Sequence, residues 1–444
     1  MGVLLQAFYW NAPTLEGQEA GWWNLIRTRI DDLSGDGFTA LWLPPASKAA
    51  EWNSMGYDPY DYFDLGTLNQ KGRTETYFGS RGDLEALIAA AHEKQIQVYA
   101  DVVLNHNSGA DAQEVNPLDG SKRWTKFTPA SGQFPRDWTC FHPSSYETMD
   151  GWGEFGGMPD LCHRNPKVFA AMMDYTRFLF EEIGFDGFRF DFVKGYGPWL
   201  VTGIAEYRYR RGGQWLKPFC VGECWDSDRA IDDWLHAINN SFMDNPVSAF
   251  DFPLHYNLKS LCDSYGYDLR GLTAGTVFRD DPLHAVTFVD NHDTVRDPEN
   301  AVVNDKMLAY AVILTHEGYP CVFWQDYFNF GLARRGTPNG IAALVTAHED
   351  YAGGESTVLS ADPDLYILQR AGTAGMPGLV LVLNNRGDGW AGAEVVTRWQ
   401  NTRLRPIAWW SSTDLSAPED KQTGADGSAD LWAAPRGYAV YAPF

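Results

Sequence analysis

Four short segments of this chain each carry an apolar, strand-like run into a carboxylate, a histidine or an arginine. They are Asp101-Val-Val-Leu-Asn-His106, Gly187-Phe-Arg-Phe-Asp191, Val221-Gly-Glu223 and Phe288-Val-Asp-Asn-His-Asp293. Strands buried on both faces read as apolar runs of this kind. In parallel α/β barrels the catalytic groups collect at the C-terminal ends of such strands. Asp191, Glu223 and Asp293 so placed suit cleavage of a glycosidic bond. That reaction needs an acid to protonate the leaving oxygen and a carboxylate to meet the cationic sugar carbon. Arg189, two residues from Asp191 on the same strand face, would hold that carboxylate's pKa low, while the acid would keep its proton through the proximity of other carboxylates.

Each residue also has a plain structural reading: Asp191 as the ion partner of Arg189, Glu223 as a helix cap, Asp293 as a loop N-cap. His106 and His292 lie beside carboxylates in the sequence, a combination that also binds zinc, but no His-x-x-x-His helix or Cys pair accompanies them.

The elements that must position these groups are legible as eight apolar runs: 3–8, 40–43, 98–104, 187–192, 219–222, 249–252, 285–289 and 321–324. Helical patterns fill several of the gaps. Ser80 followed by Asp83, with Leu84, Leu87, Ile88 and Ala91 on one face, predicts a capped helix, and 168–183 has the same character. Strands alternating with helices eight times imply a (β/α)8 barrel. The gap between His106 and Asp160 is rich in Gly, Pro, Ser, Asp and Trp, without helical period, and a connection this long is a functional excursion or a small subdomain. After about Ala347 short β runs separated by Gly, Asp and Asn turns predict a small antiparallel β domain. The predicted division is therefore a barrel from 1–106 and 161–347, an insert over 107–160, and a C-terminal domain over 348–444.

The 444 residues are too many for one core, and the net charge of −23 argues against nucleic acid as a partner. The 18 Trp, 21 Tyr and 25 Phe are a heavy aromatic load; most serve a large core, and a minority are expected to serve as platforms for the C–H faces of sugar rings. Six cysteines are too few for a disulfide scaffold, and Cys140–Cys162 is the one pair considered for a bridge. No apolar run is long enough to span a membrane. The first strand begins almost at once and no signal peptide is visible, which leans toward the cytoplasm, with secretion after removal of a leader as the alternative.

In this order, the four segments resemble the conserved regions of the α-amylase family, glycoside hydrolase family thirteen. The stretches Leu41-Trp-Leu-Pro-Pro45, Gly56-Tyr-Asp-Pro-Tyr-Asp-Tyr-Phe-Asp-Leu-Gly66, Phe250-Asp-Phe-Pro-Leu-His255 and Ala285-Val-Thr-Phe-Val-Asp-Asn-His-Asp-Thr294 are similar to those of the liquefying bacterial α-amylases and their intracellular relatives. The resemblance runs from about Leu4 to the C-terminus. It implies a barrel with an insert (the B domain) after the third strand and a C-terminal β-sandwich. It implies retaining endo-hydrolysis of α-1,4-glucans such as starch, glycogen and maltooligosaccharides by a monomer. An exo-acting or oligosaccharide-forming amylase or a transglycosylase of the same family is the alternative. A non-catalytic relative would need a membrane anchor and would have lost its carboxylates.

By position, the resemblance makes Asp191 the nucleophile, Glu223 the general acid/base and Asp293 the carboxylate that binds hydroxyls of the reacting glucose. Arg189 would orient Asp191, Asp101 would support the site, His106 and His292 would bond sugar hydroxyls, and Tyr57 would stack under the cleaved ring. Lys194 and Trp225 would touch the leaving-group side, and Trp52, near Tyr57, the donor side. The family's structural Ca2+ would be held by Asn105, Asp160 and the carbonyl of Gly195, with Asp150 or Glu154 as a further ligand. The departure at Cys162-His-Arg164 and the short insert argue against a second metal cluster.

Overall fold

In the computed structural model, which describes residues 2–17, 21–239 and 243–444, the eight expected strands close into a parallel barrel. They are β1 (Leu4–Gln6), β2 (Ala40–Leu43), β3 (Gln97–Val102), β4 (Gly187–Phe190), β5 (Phe219–Gly222), β6 (Ser248–Phe250), β7 (Ala285–Phe288) and β8 (Tyr319–Phe323), joined in the cyclic order β1-β8-β7-β6-β5-β4-β3-β2. Sequence neighbours pair throughout, as strand–helix–strand connections favour. The strands are shorter than the apolar runs that announced them: the run over 98–104 leaves the ladder after Val102, and that over 187–192 after Phe190. The polar residues that close each run therefore stand just beyond the hydrogen-bonded part.

The capped helix is present as Arg81–Glu93, with the Ser80 hydroxyl accepting from Asp83 N and the Asp83 carboxylate accepting from Ser80 N. The segment 168–183 is a helix over Pro166–Arg177 that widens into a π-helix over Phe178–Ile183. The excursion after β3 starts and ends on neighbouring residues, since His106 and Asp160 form an antiparallel bridge. Between them lies a hairpin of Ala112–Val115 with Lys122–Lys126.

The C-terminal strands are β9 (Ser356–Ala361), β10 (Leu365–Arg370), β11 (Leu379–Asn384), β12 (Ala391–Val396), β13 (Arg403–Ser411), β14 (Ser428–Ala433) and β15 (Gly437–Pro443). A six-stranded sheet runs β9-β10-β11-β15-β13 and ends on the short strand Lys421–Gln422, while β12 and β14 pair as a second sheet. Ile367, Val380, Val382, Val395, Leu404 and Leu431 of the two sheets share one buried core, the arrangement of a sandwich.

The chain divides into two compact units. One comprises Met1–Tyr9, Asp32–Thr39 and Asp251–Phe444, the other Trp10–Asp31 and Ala40–Phe250. All six cysteines are free. This corrects the Cys140–Cys162 pairing: their main chains hydrogen-bond, Cys162 N to Cys140 O at 2.9 Å, while the Cys162 sulfur accepts from the Ser144 hydroxyl at 3.1 Å.

Candidate active site

In the unit that holds β2 to β6, one guanidinium organises three carboxylates. Arg189 Nη1 donates to Asp101 Oδ1 at 2.9 Å and to Asp191 Oδ1 at 2.7 Å, and Arg189 Nη2 lies 2.9 Å from Glu223 Oε1. Barrel register produces this cluster. Asp101 on β3 and Val221 on β5 both pair with Arg189 on β4. The next rungs are Asp191 N to Val102 O and Glu223 N to Phe190 O, so both catalytic candidates leave from the last rungs of the ladder. Gly187, Arg189 and Asp191 share one face by strand alternation. Phe192 then turns into the left-handed region, and its N–H donates to Glu223 Oε2 at 3.0 Å.

Arg189 and Asp101 are each 1% exposed, Asp191 8% and Glu223 9%. Burial opposes the charge of Arg189, but Asp101, Glu223 and Asp191 outweigh it and hold the guanidinium firmly protonated. Burial pushes Asp101 up to about 6, against the pull of Arg189 and the Tyr57 hydroxyl. Three carboxylates facing one cation give the cluster a standing demand for a proton.

A wall of aromatic and polar groups fixes this centre. Trp42 Nε1 and the Tyr57 hydroxyl both donate to Asp101 Oδ2, at 3.1 and 2.8 Å. Tyr57 stacks on Trp10 with ring centres 5.9 Å apart and planes 12° apart. His106 is buried, lies 2.9 Å through Nε2 from the Tyr57 carbonyl oxygen and stacks on Phe155. Burial lowers its pKa, so it is a neutral ring. Lys194 donates to the Trp225 carbonyl at 2.8 Å, pairs with Asp226 at 3.2 Å, and lies over the Trp152 ring. Trp52 is half exposed and meets Tyr77 edge-on.

The other unit carries Asp293 and His292 beyond β7. Gln6 Nε2 lies 2.9 Å from His292 Nδ1, which fixes that nitrogen as the acceptor, and Phe8 packs on the ring. His292 Nε2 and Arg296 each stand 3.2 Å from a different oxygen of Asp293. Asn291 Oδ1 accepts from the N–H groups of Asp293 and Thr294, and the Thr294 hydroxyl donates to Asp290. Lys306 binds Asp290 and Asp326 at 2.8 and 2.5 Å. The loop bearing Asp293 is thus tied to a buried ionic network.

Of the expected calcium ligands in the second unit, Asp160 lies beside Asp150 and His142, Gly195 lies beside Asn105, and several of their buried oxygens lack hydrogen bonds. Asn105 Oδ1, Asp150 Oδ1 and Asp160 Oδ1 are all buried and make no hydrogen bond. Unpaired buried oxygens of this kind are costly unless a cation meets them. A side chain at Gly195 would strike Asn105 Oδ1, and one at Gly151 would strike the Lys194 and Gly195 carbonyls. Asn105, the Gly195 main chain and the 150–151 turn therefore pack together. His142, Asp150 and Asp160 also present ligand atoms within 4.8 Å of one another. Asn105, Asp160, Asp150 and the Gly195 carbonyl offer hard oxygens, the ligand type that suits Ca2+. Glu154 is taken up elsewhere, by Arg123.

Sequence reasoning missed Trp10, Trp42, Gln6, Phe155 and Lys306. Gln6 carried a signal, a polar residue inside the first apolar run. Nothing local distinguishes Trp10 or Trp42 from core tryptophans.

A family model described as "Alpha amylase, catalytic domain" matches residues 13–210. A glucan 1,4-alpha-maltohexaosidase of Bacillus sp. (strain 707) is 32% identical over 87% of this chain and 83% of its own length. The chain belongs to the alpha-amylase family. It is therefore a glycoside hydrolase. An alpha-amylase of Geobacillus stearothermophilus is 33% identical over 85% of this chain and 76% of that protein, and the cytoplasmic alpha-amylase of Escherichia coli (strain K12) is 32% identical over 87% and 89%. Among solved structures, an alpha-amylase from Geobacillus thermoleovorans complexed with acarbose covers 100% of this chain and 98% of its own, with 20% identity and a TM-score of 0.71. That likeness concerns the fold.

Proposed function

We propose that the protein is a retaining, endo-acting α-amylase that hydrolyses internal α-1,4 bonds of starch, glycogen and maltooligosaccharides. One observation carries the reading: Arg189 grips Asp191 and Glu223 together, with Asp101 behind them. Two carboxyls on one guanidinium belong with the close spacing of retaining enzymes, about 5 Å, and leave little room for the interposed water of inverting ones.

In the first step the Asp191 carboxylate attacks the anomeric carbon while Glu223 gives its proton to the departing glycosidic oxygen. In the second, Glu223 takes a proton from water, whose oxygen displaces Asp191 from the sugar. Arg189 keeps Asp191 ionised and aimed. Asp101 fixes Arg189 and, through the Tyr57 hydroxyl, the ring on which the reacting sugar stacks. Asp293, His292 and His106 bind sugar hydroxyls. Lys194 and Trp225 meet the leaving segment and Trp52 the donor end. A calcium ion on Asn105, Asp160, Asp150 and the Gly195 carbonyl would supply structural charge, tying the end of β3 to the close of the insert. The domain limits 1–106 with 161–347, 107–160 and 348–444, and a monomeric state, belong to the same reading, which sedimentation and limited proteolysis check. So does a cytoplasmic location, which cell fractionation checks. It is supported by the Escherichia coli relative and by six unpaired cysteines.

The deciding experiment is a product time course on soluble starch beside an end-blocked oligosaccharide. Early loss of viscosity with mixed products and cleavage of the blocked substrate supports endo action. A single short product with the blocked substrate intact would replace it by the exo-acting reading. That alternative is favoured by the names of two relatives, the maltohexaosidase above and a glucan 1,4-alpha-maltotetraohydrolase of Stutzerimonas stutzeri, 29% identical over 85% of this chain.

A further inference from the structure

The C-terminal sandwich reaches the loop that carries Asp293 through one arginine. Arg436, in the turn before β15, is 1% exposed and lies in the left-handed region at φ 46°. Every nitrogen of its guanidinium is engaged. Nε donates to Asp305 Oδ2 at 2.7 Å, Nη2 donates to the Leu261 and Cys262 carbonyls at 2.7 and 2.6 Å, and Nη1 donates to Asn385 Oδ1.

Asp305 answers from the barrel side. It is left-handed too, at φ 42°, and stands at the N-cap of the helix Lys306–Thr315. A capping aspartate normally accepts from the first amides of its helix. The Asp305 side chain makes no capping bond and pairs with Arg436 instead. Left-handed backbone is costly for a residue with a side chain, and it persists where the surroundings hold it. Two such residues facing each other across one ion pair indicate a contact that the fold maintains for a purpose.

From Asp305 the connection to Asp293 is short. The next residue, Lys306, binds Asp290 at 2.8 Å, and Asp290 accepts from the Val302 N–H at 3.2 Å and the Thr294 hydroxyl at 2.8 Å. Val303 N and Asn304 N donate to Asp263 Oδ1 at 2.9 and 2.7 Å. Asp263 ends the helix Phe252–Asp263, and the two carbonyls that Arg436 grips lie in its last turn. The arginine thus holds both Asp305 and the helix end on which residues 303 and 304 rest.

We propose that Arg436 is a positioning residue: through Asp305 and Lys306, the C-terminal sandwich fixes the loop that presents Asp293. The part given to Asp293 rests on the function proposed above. A misplacement of about 1 Å costs roughly a hundredfold in rate, so a carboxylate on a long loop needs such an anchor. Contacts to sugar hydroxyls that strengthen in the transition state act on kcat more than on KM. Loosening the anchor therefore lowers kcat and leaves KM nearly as it was.

The test uses the full-length protein with Arg436→Gln and, as the milder change, Asp305→Asn, which spares the other three contacts of Arg436. Amide hydrogen exchange over 290–304 is read beside kcat and KM on a soluble maltooligosaccharide. The expected result is exchange roughly tenfold faster in that segment with β7 unchanged, and kcat roughly tenfold lower with KM within about twofold. Added to Asp293→Asn, either change should lower kcat no further, because the carboxylate it positions is already gone. A general loss of stability would lower kcat alike in both backgrounds. Loop exchange or kcat equal to wild type, or a kcat loss that multiplies in full with that of Asp293→Asn, would overturn the relay. If Arg436→Gln does not fold, Asp305→Asn decides. The two readings fail separately. A wild-type protein that hydrolyses no α-glucan loses the proposed function, while faster loop exchange in the variants still shows the hold of Arg436. An active protein whose variants exchange and turn over like wild type loses only the relay.

Discussion

Arg189 is the residue on which the candidate centre depends, because it pairs with three buried carboxylates. Removing one partner of such a cluster costs about 3–5 kcal/mol by stranding the others. The two carboxylates it presents should be indispensable to turnover, and their isosteric amides are expected to keep the fold because each leaves Arg189 with two carboxylates. Asp191→Asn and Glu223→Gln are expected to lower kcat by roughly a thousandfold or more while starch is still bound. Steady-state kinetics with a binding assay checks this, and near-normal turnover in either variant would overturn the assignment. Asp101 gives a pH-dependent counterpart. The folded protein keeps its proton up to about 6, whereas an ordinary aspartate gives it up near 3.8. Between those values the folded state binds more protons than the unfolded chain. The stability this group contributes is therefore full below the lower value and is lost as pH rises through the window. Unfolding free energy measured from pH 4 to 6 should fall less steeply in Asp101→Asn than in wild type, by at most about 1.4 kcal/mol per pH unit. Equal slopes would show that the proton does not reside on Asp101.

Among the elements, β5 shows how a strand without a polar side chain can still control the site. Glu223 follows Gly222, whose missing side chain is filled by the Trp234 ring. Gly222→Ala forces the indole and the strand end apart. It is expected to cost about 1–3 kcal/mol, as overpacking does, and to lower kcat by displacing Glu223. Thermal melts and kinetics on the variant test both, and an unchanged kcat would show that the position of Glu223 does not depend on this contact. The strands themselves were readable because burial on both faces leaves an unbroken apolar run, and the catalytic candidates because a charge stands where each run stops. What surrounds them was not readable. The run of Trp42 gives no hint that its indole N–H binds Asp101, since a tryptophan in an apolar strand has the same sequence appearance whether or not it has such a partner. The stretch Phe250-Asp-Phe-Pro-Leu-His255 was recognisable only as a resemblance. Physically, Asp251 caps the following helix at Leu254 N, and His255 meets the Val289 carbonyl beside the Asp293 loop. The second contact joins residues that only the closed barrel brings near.

For the molecule as a whole, the acidic balance and the calcium set bear on the same question. A chain of net charge −23 concentrates cations around itself, but only a place with buried, unpaired oxygens selects one. Asn105, Asp150 and Asp160 provide that place, with one oxygen each lacking a hydrogen bond. They come from the end of β3 and from the close of the insert, so a bound ion ties together segments otherwise joined by a long, irregular stretch of chain. An ion that binds only the folded state stabilises it by about 2.7 kcal/mol when present at a hundred times its dissociation constant. Thorough chelation is therefore expected to lower the melting temperature, and added Ca2+ to restore it. Asp160→Asn should melt lower than wild type in calcium and respond little to the chelator. The variant separates a specific ion from a general salt effect. Screening of the net charge would raise the stability of wild type and variant alike, whereas loss of a ligand removes the calcium response from the variant alone. A wild-type melting curve unchanged by chelation would remove the ion from this protein and leave its three buried oxygens without their expected partner.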